Sequence, residues 1–362
     1  METVNEQLRD ADVGHQVDLQ RYSNHVVQRI IALLNRADPE LVQKLNDALE
    51  RLAPEDFTIE RLDALLKSVR ELNRSAYEAI GRELTKELQD LAEYEAGFQF
   101  QLFRSVLPVE VSFAKVSVEA AYSAAMSRPF QISKDRAISL SDYLVGLTED
   151  RAAMVRDAVR LGYIEGESIS QIVRRIKGTK KQNYEDGLMA APRHKVEAMV
   201  RTAINHTATV ARQEFYKGNQ DLIKGWQFLA TLDSRTSITC ASLSGNIYPI
   251  GKGPMPPRHI NCRSTSVPVL KSWKELGGAD IEDFQPATRA SMDGQVPADI
   301  TFTEWLRKKP ASFQDQVLGA TRGKLFRANE IEVDRFTNNK GIVYSLGELR
   351  KRDAELFERA GL

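Results

Sequence analysis

The stretch GWQFLATLDSRTSITCASLSGNIYPIGKGPMPPRHINCRSTSVPVL, residues 225–270, decides the fold of the middle of the chain. Its segments GWQFLATLD, NIYPI and TSVPVL are short and apolar, with the β-branched and aromatic residues that are typical of strands. The turn clusters SGN and GKGPMPP lie between them. The region 218–270 is therefore predicted to form a small, irregular α+β unit.

The residues on both sides of this unit predict helices. Residues 140–162 form one helical pattern, and ESISQIVRRIKG forms another that begins after Ser168 and ends at Gly178. Arg193 to Tyr216 is a third, with one face formed by Val196, Met199, Val200, Ala203, Ile204, Thr207, Ala211 and Phe215. Short helices are expected around Glu304–Lys309, Gln314–Leu318 and Leu346–Ala360, whereas residues 109–126 fit either a strand or a helix.

The N-terminal part of the chain also has helical periodicity. Residues 16–36 form one apolar stripe, Asp38-Pro39 is expected to interrupt it, and a second helix is expected to end at Ala53-Pro54. Thr58 is a candidate cap for a third helix that runs through Ile59, Leu62 and Leu65 to about Val106, before Pro108. Forty-odd residues at ~1.5 Å each would span roughly 70 Å. The pattern therefore predicts either an elongated helical arm or two shorter antiparallel helices.

Composition limits the class of protein. The chain has 362 residues, 50 basic and 50 acidic side chains, and two cysteines, which indicates two or three domains and excludes a disulfide-rich secreted module. We find no apolar stretch long enough for a membrane span, and the N-terminus lacks the apolar core of a signal peptide. We therefore expect synthesis in the cytoplasm, reduced thiols and no membrane contact.

Charge is distributed unevenly along the chain. Residues 38–95 contain 15 acidic and 8 basic side chains, whereas residues 151–224 contain 14 basic and 8 acidic ones. A basic cluster in RRIKGTKK consists of Arg174, Arg175, Lys177, Lys180 and Lys181. Aromatic residues do not interleave it, so it predicts non-specific contact with phosphates rather than sequence readout. The alternative is an ordinary solvated helical surface.

The two cysteines and one histidine lie together in the α+β unit. Cys240 is followed about twenty residues later by His259 and Cys262, and Asp233 opens the same stretch. Two thiolates and an imidazole are zinc ligands, and Asp233 is the candidate for a fourth, so a structural zinc is one interpretation. A Cys240–Cys262 disulfide and two unlinked buried cysteines beside a hydrogen-bonded histidine are the alternatives. We find no nucleophile elbow, phosphate loop or other catalytic motif.

The stretch Arg201–Leu270 resembles the phage Mu F-like head-morphogenesis family of minor head proteins. The matching motifs are the helix RTAINHTATVARQEFY, Asp233-x-Arg235, Cys240-x-x-Leu243-x-Gly245 and Pro256-Pro257-x-His259-x-x-Cys262-Arg263. Many relatives have a further cysteine three positions before the residue that matches Cys240, where this chain has Ser237. The segment FTEWLRKKPASFQDQVLGATRGKLFRANEIEVDRF is similar to the tail that follows this domain in many phage head proteins.

The helical and strand patterns predict a mainly α fold, with an elongated N-terminal helical arm or bundle and a compact α+β domain, which the resemblance identifies as Mu F-like. We divide the chain into the arm (1–130), the Mu F-like domain (131–270, core 193–270) and a C-terminal extension (271–362). The implied protein is a non-enzymatic minor capsid protein of a tailed phage, located inside the virion near the portal vertex. Portal protein, other capsid-interior proteins and packaged DNA are the implied partners, with roles in head assembly, packaging or genome delivery. The alternative is a zinc-dependent hydrolase or nuclease built on the Cys/His residues.

Overall fold

A computed structural model describes residues 4–51, 58, 64, 66–107, 111–133, 136–182, 184–272, 288–297, 299–329 and 331–362. These residues are mainly helical, with three small sheets, which confirms the predicted fold class. No helix in the described part of the chain is long and apolar enough to cross a membrane.

Helices form most of the chain ahead of the α+β unit. They are α1 (Val4–Glu50), α2 (Lys67–Val106), α3 (Val118–Ser127), α4 (Leu140–Ile164), α5 (Ile169–Lys177) and α6 (Ala190–Gly218). The two strands β1 (Phe130–Ser133) and β2 (Arg136–Ile138) lie between α3 and α4 and form a two-stranded sheet that the sequence did not predict. The undecided stretch 109–126 contains α3, which begins after the N-cap Ser117.

The α+β unit contains the three predicted strands in one sheet. They are β3 (Ile223–Leu229), β4 (Ile247–Pro249) and β5 (Thr265–Leu270), with the short helix α7 (Ile238–Leu243) between β3 and β4. The order is β4-β3-β5, and the central Trp226 lies opposite Tyr248 on one side and Pro268 on the other. Pro268 is tolerated because β5 is an edge strand, where a missing N–H leaves no ladder bond unmade.

The C-terminal part is built from short elements. A hairpin of β6 (Thr288–Ser291) and β7 (Gly294–Pro297) precedes α8 (Phe302–Arg307), α9 (Ala311–Leu318) and α10 (Ala320–Asn329). A 3₁₀ turn (Val333–Phe336) then leads to α11 (Leu346–Arg352) and α12 (Ala354–Arg359). The helices expected near 304 and 314 are confirmed. The helix expected over 346–360 is observed as two helices, α11 and α12, separated at Asp353, and the hairpin was not predicted.

The expected interruption at Asp38-Pro39 is wrong, because α1 continues through Pro39. A proline inside a helix costs about 3 kcal/mol, but apolar residues on both sides of it are buried: Leu34 is 0% exposed and Leu41 is 1% exposed. Asp38 does not cap a new helix; its carboxylate accepts a hydrogen bond from the guanidinium of Arg193. Burial and this ion pair therefore offset the lost backbone hydrogen bond.

The third predicted helix is observed as α2. It is continuous from Lys67 to Val106, so the alternative of two shorter helices is wrong for this stretch. The expected helix end at Ala53-Pro54, the helix positions Ile59, Leu62 and Leu65, and the stop at Pro108 lie outside the described residues.

Packing divides the chain into two compact units. The first unit consists of Met1–Gln20, Leu91–Ala137 and Asn205–Leu362, and the second of Arg21–Asp90 and Ile138–Ile204. The core of the first unit includes the large aromatic side chains Phe103, Phe215, Tyr216, Trp226, Phe228, Phe302 and Trp305. The core of the second includes Leu41, Leu45, Leu49, Leu66, Val69, Val159, Ile172, Ile176 and Met189. A division by packing does not test a division by consecutive segments, so the linear domain boundaries stay a prediction.

Candidate functional site

The helix α7 places Cys240 inside the first unit. The side chain of Ser237 caps this helix and accepts a hydrogen bond from the backbone N–H of Cys240 (3.2 Å). Cys240 is 2% exposed. The hydroxyl of Ser237 therefore pairs with a backbone N–H of the first helical turn and fixes the position of Cys240. It does not provide a sulfur ligand.

A tight turn after Pro257 brings His259 and Cys262 together. The N–H of Cys262 donates to the carbonyl of His259 (3.1 Å), and Asn261 has a φ of 59°. Asparagine tolerates this left-handed conformation better than most residues. The turn therefore presents the imidazole and the second thiol from neighbouring positions.

Cys240, His259 and Cys262 converge, and we call them the Cys/His cluster. The Sγ atom of Cys240 lies 3.3 Å from Nε2 of His259 and 3.7 Å from Sγ of Cys262. All three ligand atoms lie within 4.8 Å of one another. Both cysteines are free thiols and are buried, whereas His259 is partly exposed. The sequence thus correctly grouped three side chains that lie on two different elements.

A hydrogen bond within the turn fixes the tautomer of the His259 imidazole. Nδ1 donates a hydrogen bond to the carbonyl of Ile260 (2.8 Å). In a neutral imidazole this leaves the lone pair on Nε2, the atom that faces Cys240. The ring therefore presents an acceptor to the two thiols.

The two thiols differ in acidity because they share a hydrogen bond. The bond to Cys262 lowers the pKa of Cys240 to about 7, against the opposing effect of burial. The same bond, together with burial, raises the pKa of Cys262 well above its ordinary value. Cys240 is therefore the member of the pair that carries a thiolate most readily.

Asp233 is not brought into the Cys/His cluster. Its carboxylate forms a two-point ion pair with the guanidinium of Arg263, in which Nη2 donates to Oδ1 at 2.8 Å. Burial alone would raise the pKa of Asp233, but Arg263 lowers it below its ordinary value. Asp233 also accepts from the backbone N–H of Arg235 (3.0 Å). Asp233 therefore stabilises the Asp-x-Arg turn and joins it to Arg263.

The basic cluster lies in the second unit, at the end of α5 and in the following 3₁₀ turn (Lys180–Gln182). Arg175 is held by the carboxylates of Glu165 and Glu167. The other four members are exposed: Arg174, Lys177, Lys180 and Lys181. Four of the five predicted side chains are therefore available to an outside anion.

Asn205 supports the Cys/His turn, and sequence reasoning missed it. It is 5% exposed, and its amide donates to the carbonyls of Cys262 (2.8 Å) and Ser264 (3.3 Å). Asparagine is a poor helix former, so its presence inside the strong α6 pattern was a signal that its side chain has a specific partner.

A buried ionic network in the first unit was also missed. Nε of Arg212 donates to Glu95 (2.9 Å), and both side chains are 0% exposed. His15 contacts the same carboxylate at 2.8 Å, and Arg212 also donates to the hydroxyl of Thr265. The network ties α1, α2, α6 and β5 together within this unit, and no local sequence pattern indicates which of these residues pair.

The middle of the chain matches a known protein family. Residues 153–267 match the family model described as phage Mu protein F like protein, which confirms the resemblance. The matched stretch contains α5, α6, β3, α7, β4 and the Cys/His cluster, and it supports a role in phage head morphogenesis. No curated protein and no solved structure matches the chain.

Proposed function

We propose that this protein is a minor capsid protein of a tailed bacteriophage, associated with the portal on the inner side of the head. It contributes there to head assembly, DNA packaging or DNA delivery. The observation that supports this most strongly is the family match over residues 153–267. That match includes most of the α+β unit, with its Cys/His cluster, and the basic end of α5.

Exposed apolar side chains support a role in protein contacts. On α4, Leu161 is 45% exposed and Ile164 is 69% exposed, three residues apart and therefore on one helical face. An exposed apolar face of this kind is typical of helices that pack into a groove on a partner protein. The portal and other capsid-interior proteins are the proposed partners.

The basic cluster is the proposed contact with packaged DNA. Arg174, Lys177, Lys180 and Lys181 are exposed, and Lys177 lies over the ring of Tyr184 with its ammonium 5.4 Å from the ring centre. Lysine and arginine side chains that contact phosphates bind without reading bases. Arg175 is excluded from this role because two carboxylates hold its guanidinium.

The second candidate function is a zinc-dependent hydrolase or nuclease. It is favoured by one observation, namely that three ligand atoms in the Cys/His cluster would leave one coordination position for water. Such an enzyme needs a general base near that water. Among the described residues no Asp or Glu joins the cluster, and Asp233 is engaged by Arg263. The structural role is therefore the better-supported proposal.

A binding experiment tests the portal association. The full chain is mixed with assembled portal rings of the phage that encodes it, and the complex is isolated by size exclusion. We expect co-elution that weakens when Leu161 and Ile164 are both replaced by serine. Two exposed residues outside α4, Ile247 and Met292, provide a matched serine control. Absence of any complex at micromolar concentrations would exclude the proposed association with the portal.

A further inference from the structure

We propose that Cys240, His259 and Cys262 bind one Zn²⁺ ion through two thiolate sulfurs and the Nε2 atom of a neutral imidazole. The ion joins α7 to the turn at 259–262 and stabilises the first unit. This inference concerns the α+β unit alone and does not depend on a role in the phage head.

The distances between the ligand atoms match a tetrahedral zinc site. Two sulfurs bound to one zinc at about 2.3 Å lie about 3.8 Å apart, and a sulfur and a nitrogen ligand lie about 3.5 Å apart. The observed distances are 3.7 Å between the sulfurs and 3.3 Å between Cys240 Sγ and His259 Nε2. An ion can therefore be held after small side-chain adjustments and no rearrangement of the backbone.

The histidine has the tautomer that a metal requires. A zinc-bound imidazole usually donates its second N–H to a carboxylate or a backbone carbonyl, which fixes the ring and directs the other lone pair to the metal. Nδ1 of His259 donates to the carbonyl of Ile260 at 2.8 Å, and Nε2 faces Cys240. This observation is independent of the spacing between the two thiols.

The backbone around the ligands is held in place before any ion binds. Ser237 caps α7 at Cys240, and Asn205 binds the carbonyls of Cys262 and Ser264 from inside the unit. A site with fixed ligands binds more tightly than one that must be ordered on binding.

The charge and the softness of the three ligands favour zinc. Two thiolates balance the charge of Zn²⁺, and thiolate and imidazole ligands favour zinc over magnesium or calcium. No fourth Cys, His, Asp or Glu joins the group in the part of the chain that the structure describes.

Metal analysis of the full chain tests the proposal. The protein is produced without a polyhistidine tag in zinc-supplemented medium, and its metal content is measured by plasma mass spectrometry. We expect about one zinc ion per chain, loss of that zinc in Cys262→Ser and His259→Asn, and retention in His194→Asn. His194 is an exposed histidine that contacts Glu185 and is the matched control.

Cobalt substitution keeps the test decisive if a variant fails to fold. Wild-type protein stripped with a chelator and loaded with Co²⁺ should show the intense thiolate-to-metal charge-transfer absorption of a sulfur-ligated site, and Zn²⁺ should abolish it. A wild-type chain without zinc and without this absorption would overturn the proposal. So would a Cys240–Cys262 disulfide in intact-mass analysis, or zinc retained by both ligand variants. A zinc-free protein that still enters phage heads would leave the proposed function standing.

Discussion

Replacement of Arg212 by methionine should strongly destabilise the first unit. Arg212 and Glu95 are each 0% exposed, and the guanidinium donates to Glu95 at 2.9 Å and to Thr265. Removing one member of a buried ion pair leaves the other charge uncompensated, which costs about 3–5 kcal/mol. Folding units of 150–250 residues lose about 2–4 °C of Tm per kcal/mol, so the predicted decrease is roughly 6–20 °C.

Urea unfolding followed by tryptophan fluorescence measures this effect. Trp226 and Trp305 are buried in the core of the first unit and report its unfolding. The double variant Arg212→Met with Glu95→Leu should recover part of the loss, because it removes both charges together. The exposed pair Arg359–Glu355 supplies the control, and Arg359→Met should leave stability nearly unchanged. A stability of Arg212→Met within about 1 kcal/mol of wild type would refute this reasoning, since it lies below the range for a broken buried pair.

Three further predictions concern a cap, a pH response and the basic cluster. Ser237→Ala should lower stability by about 1 kcal/mol through loss of the α7 cap, measured by urea unfolding, and an unchanged midpoint would contradict the cap's role. Burial raises the pKa of Asp12 to about 6. Because the folded state then binds the carboxyl proton of Asp12 more tightly than the unfolded state does, the free energy of unfolding should fall as pH rises from about 4 to 6. Asp12→Asn should flatten that slope in urea midpoints taken across this range, and an unchanged slope would remove Asp12 as its source. Replacement of the four exposed cluster residues by glutamine (Arg174, Lys177, Lys180 and Lys181) should weaken binding to random duplex DNA and reduce its salt dependence. The control variant carries glutamine at four exposed lysines outside the cluster (Lys308, Lys324, Lys340 and Lys351) and should bind as the wild type does. Equal losses in both variants would contradict a specific role for the cluster.

Local signals in the sequence predicted the elements that local interactions specify. Ser168 and Gly178 correctly marked the ends of α5, where Ser168 and Gln171 form a capping box and Gly178 has a φ of 85°. The three strands of the α+β unit were predicted in the correct places because turn clusters separate them. The hairpin of β6 and β7 was missed; its turn residues are Met292 and Asp293, and Gly294, with a φ of 105°, pairs with Ser291 at the start of β7.

Contacts between distant residues were not predictable from local patterns. Asp38-Pro39 has the local signature of a helix boundary, but Arg193, over one hundred and fifty positions away, pairs with Asp38 inside a continuous helix. Glu95 and Arg212 are likewise separated by 117 positions. Nothing in either segment identifies its partner, because each pairing follows from the packing of whole helices.

The candidate site was predictable in part. Residue chemistry and the family resemblance grouped Cys240, His259 and Cys262, and the structure brings them together. The same reasoning offered Asp233 as a fourth ligand, but its carboxylate faces Arg263. Spacing in the sequence could not decide between these roles, because the charge of Arg263 competes with any metal for the same oxygens.

Quantitative mass spectrometry of purified phage heads tests the central proposal most directly. The copy number of this chain is measured against the portal and the major capsid protein, before and after protease treatment of intact particles. The account predicts a few copies per head that resist protease until the capsid is opened. Heads that assemble and package DNA without any copy of the chain would contradict it.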